Sequence, residues 1–168
     1  MNLKIIDNFL DFKNFQIIQD AIYGADLPWF QNRYLVYENE IEENNTWNWQ
    51  LTHTFYNQNM PRSDKFFLLE PIITRLNPGA LVRVKANLIP RTDKIIVHPY
   101  HVDIDNFKGK TAVYYINSNN GYTLFKDGSN VESIENRMVI FDSILEHTGT
   151  SCTNARNRCV INFNFYEW

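Results

Sequence analysis

The sequence is short of several things, and each shortage excludes something. It has two cysteines, Cys152 and Cys159. That is too few for a disulfide framework. Their spacing is also longer than that of the paired ligands in zinc ribbons. They read as two reduced thiols of a cytoplasmic protein. There is no basic excess, since 16 Lys and Arg face 19 Asp and Glu, for a formal net charge of −3. A nucleic-acid partner is therefore not expected. Long apolar runs are missing too. The opening, MNLKIIDNFLDFKNF, breaks each run with Asp, Asn or Lys. Neither a secretory signal nor a membrane span is expected, and the expected location is the cytoplasm. No repeat or low-complexity segment divides the chain.

What is present suits one domain. The chain has 168 residues, 44% of them hydrophobic and 15% aromatic, enough to bury a core. LKIIDNFL reads as a short strand. Asp11 can cap a helix over FKNFQIIQDAIYG, with Phe12, Phe15, Ile18 and Ala21 or Ile22 on one stripe and Gly24 as its stop. A second helix is predicted over PRSDKFFLLEPIITRL, ended by Pro78-Gly79. From residue 80 the period changes. ALVRVKANLIP alternates Val82, Val84 and Ala86 with Arg83, Lys85 and Asn87. TAVYYIN, GYTLF, NRMVIF and RCVINFNFYEW follow as short β-branched and aromatic runs, separated by turns such as SNNG and KDGSN. The predicted plan is mainly β within an α+β class. Residues 1–80 supply helical support and outer strands, and residues 81–168 form a jelly-roll core with the helices packed on one sheet.

The chain has only four histidines, and two of them fall in HPYHVDID, residues 98–105. His101 and Asp103 are two apart, so in an extended strand they share a face. His147 follows another predicted strand, at a separation that lets a jelly roll bring it back beside them. Two imidazoles and one carboxylate on one side of a metal leave the opposite positions open. That is the facial set suited to non-haem Fe(II) and oxygen chemistry. Taken without His147, the pair would read as a surface ion pair. His98 reads as a loop residue or substrate-side contact. His53, in LTHTFY, reads as a structural histidine, and Asp105 as a loop residue.

Further along, Arg158 opens the last strand, and Arg156 shares its parity. A guanidinium there can pair bidentately with the far carboxylate of a dicarboxylate co-substrate. Tyr115 can add a hydroxyl or simply pack in the core. Arg83, Lys85 and Asn87 read as a solvated strand face, with Asn87 or Lys85 pointing inward near the oxo-acid end of that co-substrate as the other reading. Trp47, Trp49 and Phe55 either line a groove or fill the core, and Arg91 with Lys94 can form a basic rim.

HVD, YYIN, GYTLF, EHTG and RCVINFNF, in this order, resemble the Fe(II)- and 2-oxoglutarate-dependent dioxygenases. They come nearest the prolyl 4-hydroxylase-like branch, with its small bacterial and phage forms. The resemblance spans residues 82–166. It implies a double-stranded β-helix and Fe(II) held by His101, Asp103 and His147. It also implies 2-oxoglutarate anchored at Arg158, with Tyr115 assisting. The implied reaction hydroxylates a C–H bond of a peptidyl or small-molecule substrate, using O₂ and converting 2-oxoglutarate to succinate. Two rival readings remain, a catalytically silent cupin-like binding module and a nucleobase demethylase. The acidic balance speaks against the second.

Overall fold

A computed structural model describes residues 3–36 and 48–168. Strand β1 (Lys4–Ile6) leads into helix α1 (Phe12–Tyr23). Asp11 caps the helix, its carboxylate accepting from the Asn14 backbone N–H at 3.0 Å, which satisfies a donor the first turn cannot. Phe15, Ile18 and Ile22 are buried, but Phe12, expected on that stripe, is 77% exposed. The helical period explains this. At about 100° per residue, Phe12 lies roughly 90° from the centre of the arc that the other three share.

The single helix expected over 61–76 is instead three pieces. Strand β4 (Met60–Pro61) is followed by a 3₁₀ turn at Phe66–Leu69 and helix α2 (Glu70–Leu76). Pro71 has no N–H to continue an existing helix and suits the first turn of a new one. Upstream, the Ser63 hydroxyl accepts from the Lys65 N–H at 3.0 Å, a local turn that competes with helix. Asn77 closes α2 at φ 49°, its N–H donating to Ile73 O at 2.9 Å, so the helix stops just ahead of Pro78.

The remaining strands are β2 (Phe30–Asn32), β3 (Gln50–Asn57), β5 (Ala80–Pro90), β6 (Lys110–Tyr115), β7 (Tyr122–Phe125), β8 (Asn130–Glu132), β9 (Met138–Asp142), β10 (His147–Gly149) and β11 (Asn157–Tyr166). They form two antiparallel sheets. The larger runs β1-β9-β6-β11-β5-β3-β2, with β4 paired to β3, and the smaller runs β10-β7-β8. Isolated bridges Val97–Thr150 and His101–His147 extend the smaller sheet beyond β10. HPYHVDID is therefore not the regular strand expected. Pro99 cannot donate to a ladder, and the chain touches β10 only at intervals before bending at residues 103–106.

Period-2 alternation gives the larger sheet two buried faces. On the outer face Ala112, Tyr114, Ile161 and Phe163 pack with Phe15, Ile18 and Ile22 of α1 and with Leu69 and Ile72. On the inner face Val113, Tyr115, Val139, Phe141 and Val160 meet Phe125 and Val131 of the smaller sheet. The protein is thus mainly β, with its helices on one face of the large sheet, as expected. Phe55 is wholly buried in the outer core, and Trp47 lies outside the described residues. No described helix is long and apolar enough to cross a membrane.

Candidate metal centre

Where the inner core reaches the bridged edge of the smaller sheet, apolar packing gives way to polar side chains. His101 and His147 face each other across the bridge, each backbone N–H donating to the other's carbonyl at 3.0 Å, with ring centroids 5.0 Å apart. His101 Nδ1 lies 3.3 Å from Pro99 O, and His147 Nδ1 lies 3.0 Å from Leu145 O. A carbonyl only accepts, so each Nδ1 carries a hydrogen, and Nε2 is the atom left to hold a lone pair in the neutral ring. The Phe141 ring, 4.8 Å from His147 by centroid, walls off one side.

Asp103 completes the group. Potential ligand atoms of His101, Asp103 and His147 all lie within 4.8 Å of one another. Asp103 Oδ1 is 3.2 Å from an Arg83 nitrogen, and Oδ2 accepts from Asn164 Nδ2 at 3.0 Å. Asn164 is itself fixed by Arg83 Nε at 3.1 Å, which donates to its Oδ1, and by the Thr111 hydroxyl at 3.0 Å. Burial works against the Asp103 charge, but His147, Arg83 and the Asn164 hydrogen bond outweigh it and hold the carboxyl at about 2. Burial, then the neighbouring His147, pushes His101 below the usual histidine range. The set therefore offers one carboxylate and, at His101, a neutral imidazole at neutral pH, with carbonyl-oriented rings. These are the donor type and outer support that a divalent first-row metal takes.

The same cavity, of about 90 Å³, is lined by His98, Arg158, Lys85, Asn87, Asn162 and Thr123 together with the triad. Arg158 is 3% exposed. Its Nε donates to the Ser133 hydroxyl and its Nη2 to the Thr123 hydroxyl, both at 2.9 Å. No carboxylate among the described residues pairs with it. Burial accordingly pushes its pKa below the normal guanidinium value. Two glycines make room for it. A Cβ on Gly121 would stand 2.8 Å from Arg158 Cδ, and one on Gly149 would stand 3.0 Å from Nη1. Arg156 is exposed on the surface.

Tyr115 is wholly buried behind this wall, donating to the Thr123 hydroxyl at 2.7 Å beneath the Arg158 guanidinium. It supports the cavity's lining and is not part of it. His98 is not an open loop residue. Its backbone binds β10 through Gly149 O and the Thr148 hydroxyl, and its ring lines the cavity. Burial, then Arg158, lowers its pKa to about 3. The solvated face read into Arg83, Lys85 and Asn87 is overturned. The register of β5 beside β11 turns Lys85 and Asn87 inward, and burial, then Arg83, lowers Lys85 to about 8. His53 is structural, with Nδ1 on Pro28 O at 2.7 Å. Asp105, Arg91 and Lys94 are exposed.

Sequence reading missed Thr123, Ser133, Asn162 and Asn164. Parity held a signal for the last two: Asn162 and Asn164 fall on the same side of the last strand as Arg158, where an apolar strand would carry hydrophobic residues. For Thr123 and Ser133, which act from the central strand of the smaller sheet and from a loop, there was none.

No family model matches the chain, and no curated protein matches it. Solved structures do. A viral collagen prolyl hydroxylase from Paramecium bursaria Chlorella virus-1 superposes with a TM-score of 0.60 at 11% identity, over 100% of this chain and 90% of that one. A Pseudomonas putida prolyl-4-hydroxylase gives 0.56 at 16% identity, over 99% and 92%. HygX from Streptomyces hygroscopicus, with nickel and 2-oxoglutarate bound, gives 0.63 at 9% identity, over 98% and 82%. At these identities what is shared is the fold.

Proposed function

We propose that this chain is a single-domain Fe(II)- and 2-oxoglutarate-dependent dioxygenase. It is built on a double-stranded β-helix and hydroxylates a C–H bond of a peptidyl or small-molecule substrate. One observation carries the reading. A buried guanidinium without a carboxylate partner among the described residues, Arg158, opens on the same cavity as the His101, Asp103 and His147 cluster. An uncompensated buried charge is costly, and a dicarboxylate placed between that cation and a metal removes the cost. The fold shared with prolyl hydroxylases and with a 2-oxoglutarate-bound neighbour supports the same assignment.

Each group then has a task. His101, Asp103 and His147 hold Fe(II), which when bound supplies the one-electron chemistry that lets O₂ react, coupled to decarboxylation of 2-oxoglutarate to succinate. Arg158 takes the far carboxylate of 2-oxoglutarate through paired N–H donors. Thr123 and Ser133 fix the plane of that guanidinium, and Tyr115 fixes Thr123. Asn87 offers an amide to the bound co-substrate. Arg83 and Asn164 orient Asp103 and keep it ionised. Val113, Val160 and Ile89 exclude water from the site. The Nδ1 bonds of both histidines keep their Nε2 lone pairs free for the metal.

Protein supplied with Fe(II), 2-oxoglutarate and O₂ is expected to release succinate slowly even without substrate. Iron binding without any succinate would leave a binding module and end this reading.

A further inference from the structure

Arg158 is not the only cation in the cavity. Lys85 stands opposite Asn162 on β11, whereas Arg158 stands opposite Ile89. The two are four residues apart along that strand, about 13 Å by strand rise. Both line the same cavity. Among the described residues Asp103 is the only acid in its lining, and it is already engaged by Arg83 and Asn164. Among the described residues Lys85 has no carboxylate within ion-pair distance and no hydrogen-bond partner for its ammonium. A half-buried ammonium without a counter-ion costs stability. Methionine or leucine would fit the alternation of the strand without that cost. A charge kept against stability is the pattern of a binding group.

We propose that Lys85 is a second anion-binding group of the cavity, taking a carboxylate other than the one on Arg158. This rests on the oxygenase reading for the identity of the first anion. The second carboxylate has two sources of the same chemistry, the oxo-acid end of 2-oxoglutarate or an acid group on the primary substrate. On the second source, the substrate is an acid such as a free amino acid and not a neutral peptide segment.

The test compares wild type, Lys85→Met and Lys85→Arg, each loaded with redox-inert Zn(II). Calorimetry gives the 2-oxoglutarate affinity. Saturation transfer to the acetate methyl signal reports a further anion, with and without 2-oxoglutarate. If Lys85 serves the co-substrate, Lys85→Met weakens 2-oxoglutarate at least tenfold and Lys85→Arg recovers most of the loss. If it serves the substrate, 2-oxoglutarate affinity is unchanged, but acetate binds the 2-oxoglutarate-saturated wild type and not Lys85→Met. Unchanged 2-oxoglutarate and acetate binding in Lys85→Met overturns the proposal. Failure of wild type to bind 2-oxoglutarate, with acetate binding still dependent on Lys85, overturns the oxygenase reading and leaves the anion site standing. A Lys85→Met midpoint of thermal unfolding at or above wild type is expected, and a large drop counts against a binding role.

Discussion

Strand β11 belongs to two different environments at once. Cys159, Ile161, Phe163 and Phe165 face outward into a core closed by the helices. Arg158, Val160, Asn162 and Asn164 face inward, and three of those four are polar though all but Asn162 are buried. Neighbouring residues on one strand thus have opposite duties. The outer face gains free energy by excluding water from apolar area. The inner face gives part of that gain up to hold charges and amides in fixed positions. Substitutions on the two faces should therefore separate stability from binding.

The largest separation is expected at the histidine and carboxylate cluster. His101→Ala or Asp103→Ala should abolish conversion of 2-oxoglutarate to succinate and lose tight metal binding, read by succinate release and metal titration. Retention of both in either variant would show that the cluster is not the metal centre. The counterpart on the outer face is Phe163→Ala. Phe163 is fully buried opposite Val84 and Ala112, so truncation should cost about 3–5 kcal/mol in chemical denaturation. Succinate release per folded molecule should stay at the wild-type level. A specific loss of activity there would mean the two faces are not independent.

Next in size is the proposed anchor. Arg158→Ala should raise the 2-oxoglutarate requirement by about 1.5–3 kcal/mol, the worth of a charge-assisted contact. Arg156→Ala, on the surface, should leave it unchanged. Equal effects would remove Arg158 from the role. A pH measurement sharpens the same contrast at Lys85. Its folded pKa of about 8 lies below the ordinary lysine value of 10.5. Between those values the unfolded chain holds more protons, so stability rises with pH. The rise should reach about 1–3 kcal/mol over that window. Lys85→Met should lack it, as read from denaturation midpoints of the two proteins from pH 7 to 10.5.

How much of this was legible depended on which face a residue served. The outer face follows from apolar period, so α1, its Asp11 cap, β5 and β11 could be read directly. The exceptions have local causes. Pro71 splits the second helix, and the helical angle turns Phe12 out. His101, Asp103 and His147 could be picked out because histidine is rare here and the HxD spacing is short. The supports could not. Thr123, Ser133, Gly121 and Gly149 meet Arg158 only through the pairing of the small sheet and the loops beside it, and no local pattern marks a residue that acts through a distant one. Lys85 was left between two readings for a related reason. Alternation shows that Arg83, Lys85 and Asn87 share a face, but whether that face meets solvent or a second sheet is a fact of topology.

The smallest effect puts the comparison into two adjacent residues. Tyr114 and Tyr115 are both fully buried, and each hydroxyl donates one hydrogen bond of 2.7 Å, to Asn136 Oδ1 and to Thr123 Oγ1. Replacing either by Phe removes one hydroxyl and leaves the ring. Each should cost about 0.5–1.5 kcal/mol of stability. On stability alone the two variants should be hard to distinguish. Their effect on 2-oxoglutarate should differ. Asn136 belongs to the outer scaffold, where it also accepts from the Leu10 N–H and donates to the Leu10 carbonyl, so Tyr114→Phe should not change co-substrate affinity. Thr123 also receives Arg158 Nη2, so Tyr115→Phe frees a hydroxyl that positions the anchor and should weaken 2-oxoglutarate a few-fold in calorimetry. Identical 2-oxoglutarate affinities in the two variants would mean that the Thr123 contact packs the core without orienting Arg158.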